Sequence, residues 1–317
     1  MKRTFSVAAA LLFVATAALA DIHGSWTANQ DEKSAGRIYM GLNRGRSMNM
    51  GTTMNVSDFA GLSAAAMNAS TSTPVRFELR REAGVATFDG TFRNGDGAGQ
   101  FHFVPNRNFY ASIASLGIRH DAADDDDLFA FALHDVSTAF IRSLHAEGIR
   151  ADLDDYLSMR IFRVTPELVR ELRALGFRDL DHDELVATRI HRVTPDYIRA
   201  TRAAGWNLSL EQLQSSRIHG ATPEFMEEMK RLGYSNVDHD ELVNFRIHGV
   251  TAELIREYRA LGYTDLSADD LVSMRIHRVT PQYIRELAAA GYRNIPARKL
   301  IDMRIHRIDP KMIDKMN

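Results

Sequence analysis

The chain contains no cysteine among its 317 residues, so disulfide bonds, thiolate nucleophiles and cysteine-based zinc sites are all excluded. Its formal net charge is only −2 at pH 7, which leaves no whole-molecule field to attract nucleic acid or an anionic membrane. Apolar residues make up 45% and charged residues 25%, a globular composition. We therefore expect a folded protein that relies on packing alone and has no nucleic-acid partner.

Long apolar runs are missing as well, except at the start of the chain. Residues 7–19 are apolar apart from Thr16, two basic residues precede them, and a small-x-small cleavage pattern ends at Ala20. This arrangement is typical of a secretory signal peptide, and it is shorter than the roughly 20 apolar residues that a membrane span needs. We predict a signal peptide over residues 1–20, cleavage near Ala20, and a periplasmic or secreted mature chain without a membrane span.

Familiar catalytic and metal-binding motifs are also absent. The sequence has no His-Glu-x-x-His, no Gly-x-Ser-x-Gly and no phosphate-binding Gly-Lys-Ser/Thr segment. Two acidic stretches, beginning at Asp179 and Asn236, resemble half of an EF-hand loop but lack its glycine and its final glutamate. The aspartate-rich residues 121–127 fit a helix start better than a calcium site. We predict no enzyme activity, no cofactor and no metal site.

What the chain does have is a repeated phrase. Its clearest copy is Arg-Ile-His-Arg-Val-Thr-Pro at residues 275–281, and related copies recur at steps of 28 or 29 residues. The copies begin at Ala132, Arg160, Arg189, Arg217, Arg246, Arg275 and Arg304. A fixed period of this length is typical of stacked helical repeats. We predict an α-solenoid of about six and a half helix-turn-helix repeats over residues 132–317.

Each repeat carries the start and stop signals of two helices. Thr165, followed by proline, is a good N-cap for a first helix, and Gly176 can end that helix in the left-handed conformation. Asp181, with glutamate three residues later, forms the capping-box pattern that begins a second helix. The apolar face of this second helix is expected to include Leu185 and Ile190. The other copies keep these signals at equivalent positions.

The segment before the repeats has strand character. Residues 75–81, 87–92 and 100–104 are three strand candidates separated by turn residues, which predicts an antiparallel meander. Weaker candidates cover residues 24–28, 37–42 and 47–54. We predict an α+β chain of two domains: a small mostly-β meander or sandwich over residues 21–106, a helical connector over 107–131, and the α-solenoid.

Arginine and histidine recur in most copies of the phrase and are the candidate ligand-binding residues, although Ala132 replaces the arginine in the first copy and Phe162 the histidine in the second. They are Arg160, Arg189, Arg217, Arg246, Arg275, Arg304, His191, His219, His248, His277 and His306. The arginines can act as a row of forks for an anionic ligand, or pair with acidic residues of the repeats. A shared metal between histidines of neighbouring repeats is disfavoured, because packed helices lie 8–10 Å apart.

The chain resembles a group of bacterial proteins through residues 75–84, the strand at 97–103 and the Arg-Ile-His-Gly-Val-Thr type of repeat. The group comprises uncharacterised exported helical-repeat proteins and the extracytoplasmic tails of membrane metallopeptidases of the beta-lactam-sensor type. The protease part has no counterpart here. The resemblance implies a stand-alone, sensor-like or partner-binding tail without protease activity.

The sequence thus favours an exported, non-enzymatic interaction or scaffold protein of the cell envelope that binds a protein or peptide through its solenoid. A sensor-like binder of a small anionic or cell-wall ligand, held by the arginine and histidine rows, is the alternative. The identity of the partner does not follow from the sequence.

Overall fold

The computed structural model describes residues 22–30, 36–45, 49–120 and 124–308. An antiparallel sheet is followed by helices in a repeated arrangement, which confirms the predicted α+β class. The predicted signal peptide, the start of the acidic run at 121–123 and the last half-repeat from residue 309 lie outside the described residues. No helix in the described part of the chain is long and apolar enough to cross a bilayer.

The strands form one sheet, and every neighbouring pair in it is antiparallel. They are β1 (Ile22–Gln30), β2 (Arg37–Asn43), β3 (Asn49–Asn55), β4 (Phe59–Ala60), β5 (Thr73–Arg81), β6 (Gly84–Arg93) and β7 (Asp96–Pro105), and their order across the sheet is β3-β2-β1-β7-β6-β5-β4. The predicted meander corresponds to β5–β7. The weaker candidates correspond to β1–β3.

The core of the sheet is aromatic, and its contacts show that the sheet curls. Trp26 on β1 and Phe77 on β5 lie three strands apart in the sheet order, yet their ring centroids are 5.3 Å apart. In a flat sheet three strand spacings would amount to about 14 Å. Gly90 and Gly99 permit the close approach of β6 and β7 beneath Trp26, because a Cβ at Gly90 would lie 2.2 Å from a neighbouring carbonyl oxygen.

The helices are short, and most have nine residues. They are α1 (Ala64–Met67), α2 (Asn108–Ala114), α3 (Asp125–Leu133), α4 (Thr138–Ala146), α5 (Leu153–Ile161), α6 (Pro166–Ala174), α7 (His182–Ile190), α8 (Pro195–Ala203), α9 (Leu210–His219), α10 (Pro223–Arg231), α11 (His239–His248), α12 (Ala252–Ala260), α13 (Ala268–Ile276), α14 (Pro281–Ala289) and α15 (Ala297–Ile305). From α4 onward they alternate between the first helix of a repeat, which we call an A helix (α4, α6, α8, α10, α12, α14), and the second, a B helix (α5, α7, α9, α11, α13, α15).

The chain divides into two compact units. The first contains the sheet and the helices up to Arg160, apart from residues 146–150, and the second contains those residues and the chain from Ile161 onward. Within the first unit α3 packs on β5, β6 and β7, and Phe129 stacks on Phe101 with ring centroids 5.3 Å apart. Within the second unit each B helix packs against the next B helix. We call this second unit the helical array.

The helix signals of the sequence have the predicted structural roles. The Thr165 side chain accepts a hydrogen bond from the backbone N–H of Leu168, and Asp181 accepts one from Glu184. Gly176 adopts a left-handed φ of 93° after the end of α6. One assignment was wrong. Ile190 does not belong to the buried face of α7, because its side chain is 47% exposed and Thr188 is buried in that turn instead.

Candidate functional site

The repeated phrase is the junction between a B helix and the next A helix. In its clearest copy Ile276 ends α13, His277 is the C-cap, and Arg278 turns the chain with a left-handed φ of 56°. The buried Val279 donates its N–H to the carbonyl of Met274, which closes the turn as a Schellman motif. Thr280 then caps α14. The phrase therefore recurs because it specifies a tight helix–turn–helix connection.

The left-handed position of this turn is occupied by glycine in two copies and by a larger residue in the others. Gly220 and Gly249 have φ values of 74° and 67°. The non-glycine occupants have φ values between 54° and 57°, and they are Asp135, Arg163, Arg192, Arg278 and Arg307. This conformation is unfavourable for residues with a Cβ, so these copies carry local backbone strain.

In five copies the arginine that begins the phrase hydrogen-bonds the end of the preceding B helix. Arg189 Nε donates to the carbonyl of Phe162 at 3.0 Å, and Arg275 Nε donates to that of His248 at 2.9 Å. In the first unit Arg160 makes the equivalent bond to His134 at 2.8 Å. The acceptors lie at the C-terminal end of the preceding B helix, where carbonyl groups lack partners within the helix. We call Arg189, Arg217, Arg246, Arg275 and Arg304 the Arg ladder.

Several arginines of the phrase also stack on an aromatic ring of the A helix before them. Arg217 lies 4.3 Å from the ring centroid of Tyr197, and Arg304 lies 4.8 Å from that of Tyr283. Arg246 over Phe225 is equivalent, as is Arg160 over Phe140 within the first unit. Leucine occupies the aromatic position before Arg189 and Arg275. The row is therefore partly structural, because its arginines hold neighbouring helices together through Nε and the ring face.

A second basic row on the A helices was missed by sequence reasoning. Arg173 donates to the carbonyl of Glu147 at 2.6 Å, and Arg202 donates to that of Leu175 at 2.7 Å. Arg259 makes the equivalent bond to Leu232. These bonds repeat on the A helices what the Arg ladder does on the B helices. The 28- or 29-residue steps from Arg173 through Arg202 and Lys230 to Arg259 were the signal that could have revealed this row.

Four other A-helix arginines pair with carboxylates. Arg170 contacts Glu147, Arg199 contacts Asp196, Arg256 contacts Glu228 and Arg285 contacts Glu257, at distances between 2.6 and 3.2 Å. The Arg ladder differs, since no carboxylate of the described residues lies within salt-bridge distance of its five members. Carboxylates of the described residues therefore form salt bridges with several A-helix arginines and none with the Arg ladder.

An isoleucine follows the arginine of the phrase in six of its seven copies and is exposed in all six, whereas Leu133 of the first copy is buried. These residues are Ile161, Ile190, Ile218, Ile247, Ile276 and Ile305, with exposures between 45% and 56%, and we call them the Ile ladder. Each follows a buried residue by two positions, which turns it about 200° around the helix and away from the core. Sequence reasoning did not single it out.

A single exposed isoleucine would need no explanation, but the same exposed residue in six copies does. Isoleucine is a mediocre helix former because its branched Cβ restricts its rotamers, so helix propensity does not favour it at a solvated position. The capping and turn contacts of the phrase use the arginine, the valine and the threonine. The isoleucine has no comparable structural role.

The histidines of the phrase lie at the same helix ends. His191, His277 and His306 are C-cap residues, while His219 and His248 are the last residues of α9 and α11. All five are half-buried or exposed. In the part of the chain that the structure describes, no group of three or more histidine, aspartate or glutamate side chains could hold a metal ion.

Four B helices of the helical array separate charge between their two ends. The last turns carry the Arg ladder and two of the histidines, while the first turns of α7, α9, α11 and α13 carry acidic residues; the first turn of α15 instead carries Arg298 and Lys299. The bonds of the Arg ladder place the C-terminal ends side by side, so these helices run in the same direction. We call the row of C-terminal ends, with the Ile and Arg ladders, the C-terminal edge.

Three side chains between α9 and α11 have the connectivity of a catalytic triad. The Ser216 Oγ lies 2.9 Å from Nε2 of His239, whose Nδ1 lies 3.0 Å from Oδ1 of Asp240. Ser216 is fully buried, however, and His239 is 5% exposed, so no substrate carbonyl can reach the hydroxyl. The bond between Ser216 and His239 instead connects two neighbouring B helices.

The histidine in the first copy of the phrase, His134, lies in the first unit and has a shifted pKa. Burial, together with the positive charge of Arg160, lowers the pKa of His134 below its ordinary value of 6.5. The neutral imidazole is therefore favoured at this position in the folded state.

Comparison with known proteins adds no relative: the chain matches no protein-family model, no curated protein and no solved structure.

Proposed function

We propose that the chain is an exported, non-enzymatic binding protein that holds a protein or peptide along the C-terminal edge of its helical array. The observation that carries this proposal is the Ile ladder, a row of six half-exposed apolar side chains at one position of the repeat. Exposed apolar residues that recur in one row are typical of interaction surfaces. Export, and with it a partner in the cell envelope, rests on the signal-peptide pattern of residues 1–20.

The size of the ladder indicates what else a partner must contact. Covering the exposed half of one isoleucine contributes about 1 kcal/mol, so the six contribute about 6 kcal/mol. A micromolar complex needs about 8 kcal/mol after the costs of association are met. Apolar contact alone is therefore insufficient, and the positive charge of the Arg ladder along the same edge is the natural source of the remainder.

A crosslinking pull-down from the cell envelope tests the proposal. The bait is the full mature chain, compared with a ladder variant carrying Ile218→Gln, Ile247→Gln and Ile276→Gln. A control variant carries Arg199→Gln, Arg256→Gln and Arg285→Gln on the A helices. We expect the wild type and the control variant to capture the same envelope proteins, and the ladder variant to fail to capture them. Equal capture by all three would refute binding through the ladder.

A small anionic ligand is the second candidate, and one pocket favours it. A cavity of about 440 Å³ lies at the C-terminal edge between Arg275 and Arg304, and Arg278 and a single carboxylate, Glu286, also line it. A ligand that binds only the folded chain raises the melting temperature. Citrate and cell-wall fragments should then raise Tm for the wild type and not for Arg278→Ala. An unchanged Tm with every compound would remove this candidate.

A further inference from the structure

The distance between rungs of the Ile ladder limits the conformation of a bound peptide. Consecutive B helices of the array approach with Cα atoms within 8 Å of each other, and packed helices have axes 8–10 Å apart. The equivalent isoleucines of two repeats are therefore separated by about the same distance. A peptide that lies along the edge needs one apolar side chain per step of this length, all on one side.

A polyproline II helix meets this requirement. It has three residues per turn and rises about 3.1 Å per residue. Side chains three residues apart therefore lie on the same side of the helix, about 9.3 Å from each other. A β-strand repeats on one side every two residues, at about 6.6 Å, and an α-helix repeats each turn, at about 5.4 Å. A strand or helix with an apolar residue at each of these positions would place additional apolar side chains between the rungs, and an α-helix matches the spacing only with one apolar residue every seven, about 10.5 Å apart.

The hydrogen-bonding groups of the C-terminal edge fit the same conformation. Polyproline II has no internal hydrogen bonds, so its backbone carbonyls are free acceptors. The Arg ladder uses mainly Nε for its bonds within the array. In the described ranges the Nη groups of Arg189, Arg275 and Arg304 have no hydrogen-bond partner. Donors are thus available beside each of these rungs.

The charge of the edge selects the residues between the apolar positions. No carboxylate of the described residues pairs with the Arg ladder, and the cavity between Arg275 and Arg304 is lined by three arginines and one glutamate. Carboxylates of a partner can form charge-assisted hydrogen bonds with such arginines. A basic peptide would be repelled.

We propose that the C-terminal edge binds an acidic peptide in the polyproline II conformation, with an apolar residue at every third position. The inference rests on the proposed function, which it narrows to one peptide geometry and one sign of charge. Each apolar side chain contacts one rung of the Ile ladder, and the acidic side chains contact the Arg ladder.

Synthetic fluorescent peptides test this proposal by anisotropy titration of the full mature chain. The main probe has six Leu-Pro-Glu units, one for each isoleucine of the ladder. Matched probes are a scrambled peptide of the same composition, a Leu-Pro-Lys peptide, an alternating Leu-Glu peptide and an acidic heptad peptide that forms an α-helix. We expect the Leu-Pro-Glu peptide to bind at least about tenfold more tightly than any other.

Two further comparisons assign the binding to the edge. The Ile218→Gln, Ile247→Gln and Ile276→Gln variant should weaken Leu-Pro-Glu binding by roughly tenfold or more, with unchanged circular dichroism. Added salt should weaken the binding further, because it screens the carboxylate–arginine contacts. The A-helix control variant should bind like the wild type.

Each alternative outcome has a distinct meaning. Tighter, ladder-dependent binding of the alternating or heptad peptide would overturn the polyproline geometry and leave the binding edge standing. Tighter binding of Leu-Pro-Lys would overturn the charge assignment. If the wild-type chain is oligomeric and the ladder variant is monomeric, a second copy covers the edge, and the peptide proposal is overturned. If no peptide binds but the ladder variant still loses envelope partners in the pull-down, the polyproline inference is refuted and the proposed function stands. If no peptide binds and the ladder variant captures the same envelope partners as the wild type, the proposed function is refuted as well.

Discussion

Replacing Arg278 by glycine is expected to stabilise the helical array. Arg278 turns the chain with a φ of 56°, a conformation that costs a residue with a Cβ about 1–2 kcal/mol. Glycine removes that cost but loses about 0.5–1 kcal/mol through its greater freedom in the unfolded chain. The net expectation is a gain of about 0.5–1 kcal/mol in the free energy of unfolding. Gly249, at the same position of another copy, shows that the turn accepts glycine.

Combining sites should enlarge the effect enough for reliable measurement. Arg192 has a φ of 54° in an equivalent turn and is far from Arg278 in sequence, so the two gains should add. We expect about 1–2 kcal/mol for the double variant, measured by urea unfolding followed by far-UV circular dichroism. For an array of this size, each kcal/mol of added stability raises Tm by roughly 2–4 °C.

Alanine at the same positions is the matched control. Arg192→Ala with Arg278→Ala removes the same charges and side-chain atoms but keeps the Cβ, and therefore the backbone strain. We expect no stabilisation from it. Equal gains from alanine and glycine would show that side-chain charge, and not the left-handed turn, determines the stability of these copies, and would refute the reasoning.

Three further predictions follow from particular contacts. Tyr258→Phe should cost about 1–2 kcal/mol in urea unfolding, because the buried hydroxyl, whose pKa burial raises to about 12, donates to the carbonyl of Val279 at 2.6 Å; an unchanged stability would contradict this role. Leu254→Tyr should add a ring for Arg275 and raise stability by about 0.5–1 kcal/mol, whereas Leu254→Met, which adds no ring, should not. The pKa of His134 is lower in the folded state than its ordinary value of 6.5, so between these two values the unfolded state binds more protons than the folded state. The free energy of unfolding should therefore be highest above about pH 6.5 and should decrease as the pH is lowered. His134→Gln should flatten that pH dependence, and an identical pH profile for the variant would assign it to other groups.

The features that the sequence predicted correctly depend on local chemistry. Thr165 and Asp181 cap helices because their side-chain oxygens reach backbone N–H groups three residues away, and Gly176 ends a helix because it tolerates a positive φ. Such contacts lie within one or two turns of the chain, and the 28- or 29-residue period multiplies each signal. The α+β class and the repeated helix pairs were therefore predictable.

The roles of most arginines were not predictable, because their partners lie one repeat away, and a local pair such as Arg199 with Asp196 is the exception. Arg199 pairs with a carboxylate three residues before it, whereas Arg202 bonds a carbonyl of the preceding A helix, and both are arginines of one helix. Only the packing of consecutive repeats decides which partner each one meets.

The exposure of the Ile ladder was hidden for a related reason. A nine-residue helix such as α7 makes only two and a half turns, too few for periodicity to fix its buried face. Its apolar residues surround the helix, so Ile190 could be assigned to the same face as Leu185. Burial in the assembled array separates them, since Leu185 is fully buried and Ile190 is half exposed.

Site-specific photo-crosslinking in living cells tests the binding edge most directly. A photoreactive amino acid would replace Ile218, Ile247 or Ile276 on the Ile ladder, and Arg199, Arg256 or Arg285 on the A helices as matched controls. We expect adducts of one defined size at the three ladder positions and none at the controls. Adducts at the A helices with none along the ladder would contradict it.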